Sequence, residues 1–214
     1  MTTTRGRLIA LEGIDGCGKS TQTRMLVEHL GVDSELVPVA TFEPGATPLG
    51  ASLRGLLLRR DGSPVAPRAE ALLMAGDRAQ HVADVIAPAL EAGTWVVTDR
   101  YCASTLAYQG YGRGLDLTEL EKIVDWATGG LRPDLTVLFD LPVAVAAARR
   151  QGEGADRMEA EGMAFQQRVA DGFLALAARG PDRWLVVDAT DPVESVASMV
   201  WDAAETLAGP SGPP

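Results

Sequence analysis

Residues 13–20 read Gly13-Ile14-Asp15-Gly16-Cys17-Gly18-Lys19-Ser20, and no other stretch constrains the fold so strongly. The string fits G-x-x-x-x-G-K-[ST], the pattern of a phosphate-binding loop (P-loop). Its flanks suit that reading. The apolar run Leu8-Ile9-Ala10-Leu11 predicts a buried strand leading in. Thr21 to Leu30 predicts a helix leading out, with Met25, Leu26 and Leu30 on one side. Glycines let the backbone curl so that successive N–H groups meet phosphate oxygens, and the helix start adds its positive dipole end. Lys19 is placed to reach the β- and γ-phosphates, and the Ser20 hydroxyl to ligate Mg²⁺. The chain holds 17 arginines and only two lysines, Lys19 and Lys122, so a lysine at this point is against its own bias. Gly13 to Ser20, with Thr21, are therefore expected to bind ATP.

The 214 residues suffice for one large domain with a substantial core, and 46% hydrophobic with 22% charged content is that of a globular protein. The segment Met1 to Arg7 lacks the apolar core of a signal peptide, and no apolar run is long enough to span a bilayer. The cytoplasm is the expected location, with no membrane partner. A net charge of −10 argues against a nucleic-acid polymer as partner, yet leaves room for small anions held by a few local cations. The two cysteines read as free thiols. Cys17, inside the loop, is either a filler or a thiol activated by the helix start. A Cys17–Cys102 bridge needs distances to judge. His29 and His81 are too sparse for a catalytic dyad or a zinc site.

Strands are expected at about 7–12, 35–41, 94–98, 135–140 and 184–188. Helices are expected at about 18–30, 48–59, 67–92, 117–128, 142–150, 158–179 and 192–207. This alternation predicts an α/β fold, a parallel sheet covered on both faces, with ligands at the carboxyl ends of the strands. A single domain over 1–209 is expected, followed by a loose Pro/Gly tail at 210–214.

After the third expected strand comes Asp99-Arg100-Tyr101, then Ser104-Thr105-Leu106-Ala107-Tyr108-Gln109-Gly110. Beside a phosphate-binding loop, an Asp closing a strand can hold water or Mg²⁺, and the adjacent Arg can fork onto a phosphate. With Leu11-Glu12-Gly13, Glu43-Pro44-Gly45, Leu53-Arg54-Gly55-Leu56-Leu57-Leu58, Asp77-Arg78-Ala79-Gln80, Pro133-Asp134-Leu135-Thr136 and Asp156-Arg157-Met158-Glu159, these segments occur in the order found in one family. The chain resembles the bacterial-type thymidylate kinases (dTMP kinases).

The resemblance implies a P-loop nucleoside-monophosphate-kinase fold, with a five-stranded parallel sheet and a short lid at about 149–158. It further implies transfer of the ATP γ-phosphoryl group to dTMP with Mg²⁺, and assembly as a homodimer, for which the apolar face of the 67–92 helix is a candidate. Asp15 would meet the acceptor's 3′-hydroxyl, Arg78 the thymine O4 and Arg100 the acceptor phosphate. Asp99 would support Mg²⁺ alongside Ser20, partly through water. Ser104 and Thr105 would line the base pocket. Tyr108 would crowd the sugar's 2′ side, with Gln109 at the same wall. Glu43 belongs to the same substrate-binding set. Position 16 is Gly, so the catalytic arginine is expected from the lid, where Arg149 and Arg157 are the candidates beside Lys19, Asp99 and Arg100.

Two positions depart from the family's pattern. Phe42 stands where an arginine usually precedes Glu-Pro-Gly, so the phosphate clamp rests more on Arg54 and Arg100. Met74 replaces the aromatic residue that stacks on thymine, and a thioether constrains a ring less than a phenyl does. Arg78 can alternatively be a solvated helical arginine among Glu70, Asp77 and Asp84, and Tyr108 a packing residue. Arg54 either faces the acceptor phosphate or forms the charged side of an amphipathic helix. A different small-molecule P-loop kinase is the nearest alternative, with Glu43 as general base if the acceptor is a nucleoside. A slowly hydrolysing nucleotide switch is a third.

Overall fold

The computed structural model describes residues 5–32, 37–59, 64–150, 158 and 161–208. Five strands form one parallel sheet: β1 (Leu8–Glu12), β2 (Val39–Phe42), β3 (Val96–Asp99), β4 (Leu135–Asp140) and β5 (Trp184–Asp188), in the spatial order β2-β3-β1-β4-β5. Burial follows the order. β1 is buried throughout and β4 nearly so, whereas β2 and β5 are partly exposed and take the edges. Within β1 the side chains alternate between two cores. Ile9 and Leu11 join the larger cluster with Val97, Val137 and Phe139, and Leu8 and Ala10 join the smaller one with Val96 and Tyr101.

The register sets the site. Asp99 pairs with Leu11 on one side and Phe42 on the other. The carboxyl ends of β1, β3 and β2 are therefore level, and the chain leaves them as Gly13, Arg100 and Glu43. Because β1 is central, its neighbours diverge, and a crevice opens where ligands bind in open α/β sheets.

Helices α1 (Lys19–Leu30), α2 (Pro48–Leu58), α3 (Pro67–His81), α4 (Ala87–Glu91), α5 (Cys102–Thr105), α6 (Leu117–Thr128), α7 (Val143–Arg149), α8 (Met163–Arg179) and α9 (Val193–Ala208) cover both faces. The expected helix at 67–92 is continuous through a π-helical turn at Val82–Ile86. The helical run α5 plus a π-helical segment at Leu106–Gly112 answers to no expected element. Every residue from Tyr101 to Gly110 is buried, so the run has no polar face and no 3.6-residue period to reveal it. Most of the expected lid, Arg157 included, and the tail at 210–214 lie outside the described residues. Among the described residues no helix is long and apolar enough to cross a membrane.

α8 lies against that buried run through two glycines. A Cβ on Gly172 would meet the Tyr111 ring at 2.6 Å, and one on Gly112 would meet the Phe165 ring at 2.7 Å. Neither ring can yield without disturbing the main core. Gly172→Ala is predicted to destabilise the fold by about 1–3 kcal/mol. Urea unfolding of both forms measures it, with an unchanged midpoint as the contrary result.

Candidate active site

The loop after β1 curls through left-handed glycines, Gly16 at φ 86° and Gly18 at φ 97°, and Gly18 opens α1. Gly16 also permits a close approach, since a Cβ there would meet the Ala146 carbonyl oxygen at 2.9 Å. Lys19 lies back along the loop, its Nζ donating to the carbonyls of Gly13 (3.2 Å) and Ile14 (3.1 Å). A cavity of about 640 Å³ opens beside it, walled by Asp15, Gly16, Gly18, Lys19, Ser20 and Thr21, by Asp99 and Arg100, and by Arg149 and Arg150 from the end of α7. Gly13, Ile14 and Cys17 do not border it. The Ser20 hydroxyl donates to Asp99 Oδ2 at 2.8 Å, which puts two hard oxygen donors together at the rim. Arg149 is anchored by the Ala189 carbonyl at 2.9 Å.

Arg100 is, among the described residues, the one non-glycine with a left-handed backbone, at φ 72°. That turn swings its guanidinium back over the loop. Nη1 donates to the Gly13 carbonyl (3.1 Å) and Ser104 Oγ (3.0 Å), and Nη2 to Asp15 Oδ1 (2.5 Å) and the Tyr108 hydroxyl (3.2 Å). The Tyr108 hydroxyl in turn donates to Asp15 Oδ2 at 3.1 Å. Burial would push the Asp15 carboxyl up, but the Arg100 and Lys19 charges outweigh it and hold it well below the usual carboxylate range.

A second pocket adjoins the first and shares Asp15, Glu43, Arg54 and Arg100 with it. Its other walls are Pro44, Leu58, Met74, Asp77, Arg78, Ser104, Thr105, Tyr108, Gln109 and Met158. Arg78 is 2% exposed, so it is not a solvated helical arginine. Its Nε donates to Glu43 Oε2, Nη1 to Thr105 Oγ1 and Nη2 to the Tyr101 carbonyl, each at 2.8 Å. Glu43 is held from its other side by His81 Nδ1 at 2.9 Å, and His81 Nε2 meets Thr41 Oγ1 at 2.6 Å. Gln109 is fixed by Glu70 at 2.9 Å, which also pairs with Arg113. Arg54 borders both cavities, donates to the Pro44 carbonyl at 2.7 Å and lies 6.0 Å over the Phe42 ring. Phe42 thus supports an arginine rather than supplying one.

Of the residues singled out from the sequence, Gly16, Gly18, Lys19, Ser20, Thr21, Asp99 and Arg149 border the first cavity, and Met74, Arg78, Ser104, Thr105, Tyr108 and Gln109 the second. Asp15, Glu43, Arg54 and Arg100 border both, and Gly13, Ile14 and Cys17 border neither. Ser104 and Thr105 are also hydrogen-bond partners of Arg100 and Arg78. Cys17 and Cys102 are both free and buried, and burial pushes the Cys102 thiol up to about 12. Glu12, Glu70, Asp77, His81, Arg150 and Met158 were not foreseen as parts of the site. One signal existed: Glu70, Met74, Asp77, Arg78 and His81 recur at helical spacing, a largely polar stripe that faces inward rather than to water.

A phosphate loop sharing two arginines with a second, partly apolar pocket, on a sheet of this order, defines a P-loop nucleoside-monophosphate kinase. The family model for thymidylate kinase matches residues 11–200. A thymidylate kinase of Synechococcus sp. (strain CC9902) is 51% identical over 201 residues, covering 91% of this chain and 95% of that protein. The one from Carboxydothermus hydrogenoformans is 47% identical over 209 residues, covering 97% and 100%. The crystal structure of the Ehrlichia chaffeensis thymidylate kinase superimposes with a TM-score of 0.75 at 31% identity, covering 94% of this chain and 99% of that one. The chain belongs to the thymidylate kinase family.

Asp77 gives the pocket a pH dependence. Its Oδ1 accepts from the Gly45 N–H at 3.0 Å, and burial, with the Glu43 charge added, raises its pKa to about 6. Unfolded, it ionises near the usual value of about 3.9. Between those values the folded state binds the extra proton, so this contribution to stability falls as pH rises from about 4 to 6 and stays lost above. Asp77→Asn keeps the acceptor for Gly45 and removes the penalty. The stability of the variant relative to wild type is predicted to rise by on the order of 2–3 kcal/mol between pH 4 and pH 7. Denaturant midpoints at the two pH values test it, and a constant difference would contradict it.

Proposed function

We propose that this protein transfers the γ-phosphoryl group of ATP to the 5′-phosphate of dTMP, giving dTDP. The observation that carries the reading is that the phosphate cavity and the second pocket share Arg54 and Arg100. A phosphoryl group held by the loop and an acceptor phosphate at the pocket mouth would meet at the same two cations. Phosphoryl transfer passes through a loose transition state, so positioning and charge neutralisation are most of what a protein must supply.

In this reading Lys19 and the loop hold the ATP phosphates. Ser20 and Asp99 would hold Mg²⁺, partly through water, and the ion would supply positive charge to the ATP phosphates. Arg100 and Arg54 clamp the acceptor phosphate. Asp15, kept ionised by Arg100 and Lys19, receives the 3′-hydroxyl, and Tyr108 fills the 2′ side so that deoxyribose is preferred. Arg78 reads the base: three of its N–H groups are occupied by protein, and two remain for a carbonyl oxygen in the pocket. Thr105 and Gln109 complete the wall. Arg149 and Arg157 act from the lid at about 149–158 within a single kinase domain over 1–209.

A nucleoside acceptor would need a general base, and Glu43 is unsuited to that role because Arg78 and His81 hold both its oxygens. A monophosphate brings its own nucleophile. We further propose a homodimer in the cytoplasm. Leu72 on α3 is 58% exposed, as apolar side chains at an interface are before assembly.

ADP release measured across thymidine, dTMP, dUMP and dCMP tests the reaction. Turnover should be negligible without an acceptor and highest with dTMP. Lys19→Ala is predicted to abolish transfer with the fold intact by circular dichroism, and retained turnover would sink the mechanism. Met74 and Met158 give the base two adaptable thioether neighbours. Met74→Phe is predicted to lower the dTMP KM roughly three- to ten-fold and to sharpen rejection of dUMP, because an offset-stacked ring adds about 0.5–1.5 kcal/mol. Unchanged selectivity would mean that the thioether already orients the base.

A further inference from the structure

Glu12 closes β1 immediately before the phosphate loop, is completely buried and borders neither of the two cavities described above. A carboxylate withdrawn from water this far is costly unless its oxygens are occupied. They are. Oε1 accepts from the backbone N–H groups of Tyr101 (2.9 Å) and Ser104 (3.2 Å), and Oε2 accepts from the Ser104 hydroxyl at 2.6 Å. All three donors belong to the segment that follows Arg100.

With Glu12 ionised, the direction of these bonds is fixed by what each group can do. A guanidinium only donates, so Ser104 Oγ must accept from Arg100 Nη1. The hydroxyl then has one proton left to give, and Glu12 Oε2 is the acceptor in reach. A one-way chain results: Arg100 to Ser104 to Glu12. The backbone is gripped as well. Arg100 sits in a left-handed conformation, which is unfavourable for a residue with a Cβ. Its own N–H is held by the Leu11 carbonyl at 2.9 Å, and the next N–H, that of Tyr101, by Glu12. Consecutive residues of β1 thus secure consecutive amides of the strained turn.

We propose that Glu12 is a positioning residue for the acceptor-phosphate clamp, fixing the backbone of Arg100 through the Tyr101 amide and its guanidinium through Ser104. The inference rests on the reading above that Arg100 holds the acceptor phosphate. Glu12 touches no substrate; its effect passes entirely through Arg100. Replacement by glutamine preserves size and one acceptor oxygen. With its oxygen kept on the Tyr101 and Ser104 amides, its nitrogen can only donate. The Ser104 hydroxyl then loses the acceptor for its proton, and the oxygen that receives Arg100 is no longer held in one orientation.

The test is a kinetic cycle on the full chain with ATP, Mg²⁺ and dTMP, using Glu12→Gln, Ser104→Ala, Arg100→Ala and the two doubles that contain Arg100→Ala. Glu12→Gln is expected to lower kcat/KM for dTMP at least about ten-fold, and Ser104→Ala roughly three- to ten-fold, with the ATP KM within about two-fold of wild type. Added to Arg100→Ala, either change is expected to cost less than about two-fold more, because residues that act as one unit are not additive. Wild-type dTMP kinetics in Glu12→Gln would overturn the proposal. So would a loss that persists undiminished in the Arg100→Ala background, since Glu12 would then act on the fold and not through the clamp. If Arg100→Ala alone leaves dTMP kinetics untouched, the clamp reading itself fails, and this inference with it. Should Glu12→Gln not fold, Ser104→Ala carries the same cycle, since it leaves the Glu12 carboxylate and its two amide bonds in place.

Discussion

One guanidinium holds the two halves of this site together. Arg100 spans from the end of β3 to the Gly13 carbonyl, the Asp15 carboxylate and the Tyr108 hydroxyl, and it borders both cavities. In the reaction proposed for this site, transfer between two phosphates tolerates little error in distance, so a cation that clamps them must not wander. Sheet register supplies the first constraint by setting Asp99 level with Leu11 and Phe42. The left-handed turn at Arg100 supplies the second. Hydrogen bonds that leave the guanidinium one arrangement supply the third.

The same device is used twice. Ser104 and Thr105 are adjacent in α5, and their hydroxyls hold different arginines, Arg100 and Arg78. Behind each arginine stands a buried carboxylate, Glu12 through Ser104 in one case and Glu43 directly in the other. Buried charges of this kind contribute little net stability, because desolvation offsets their attraction. Their value lies in orientation. A cation fixed before the substrate arrives needs no reorganisation when charge develops. The fold's stability rests instead on the two apolar clusters that sandwich the sheet.

Much of this was legible in the residues. Strand–helix alternation announced the parallel sheet, since a strand covered on both faces must be a short, nearly continuous apolar run. The phosphate loop announced itself because its chemistry is local: glycines, a lysine and a hydroxyl within eight positions. The segment from Cys102 to Gly112 escaped because a helix buried on every side carries no amphipathic period. His81 looked too isolated for a role, and its two partners, Glu43 and Thr41, are about 40 positions away in sequence.

The sequence by itself therefore determined the order of the strands, the glycine-rich loop at Gly13 to Ser20 and the family, all of which depend on contacts between near neighbours or on patterns that repeat along the chain. The tertiary structure alone decided which charged groups face one another. Arg78 turned inward, Phe42 came to support Arg54, and Glu12 was set behind Ser104 and Arg100 only when β1, β3 and α3 packed side by side. Arg78 and Glu43 are 35 positions apart and Ser104 and Glu12 are 92, and the energies of such pairings depend on burial and distance, which no linear pattern of residue types encodes.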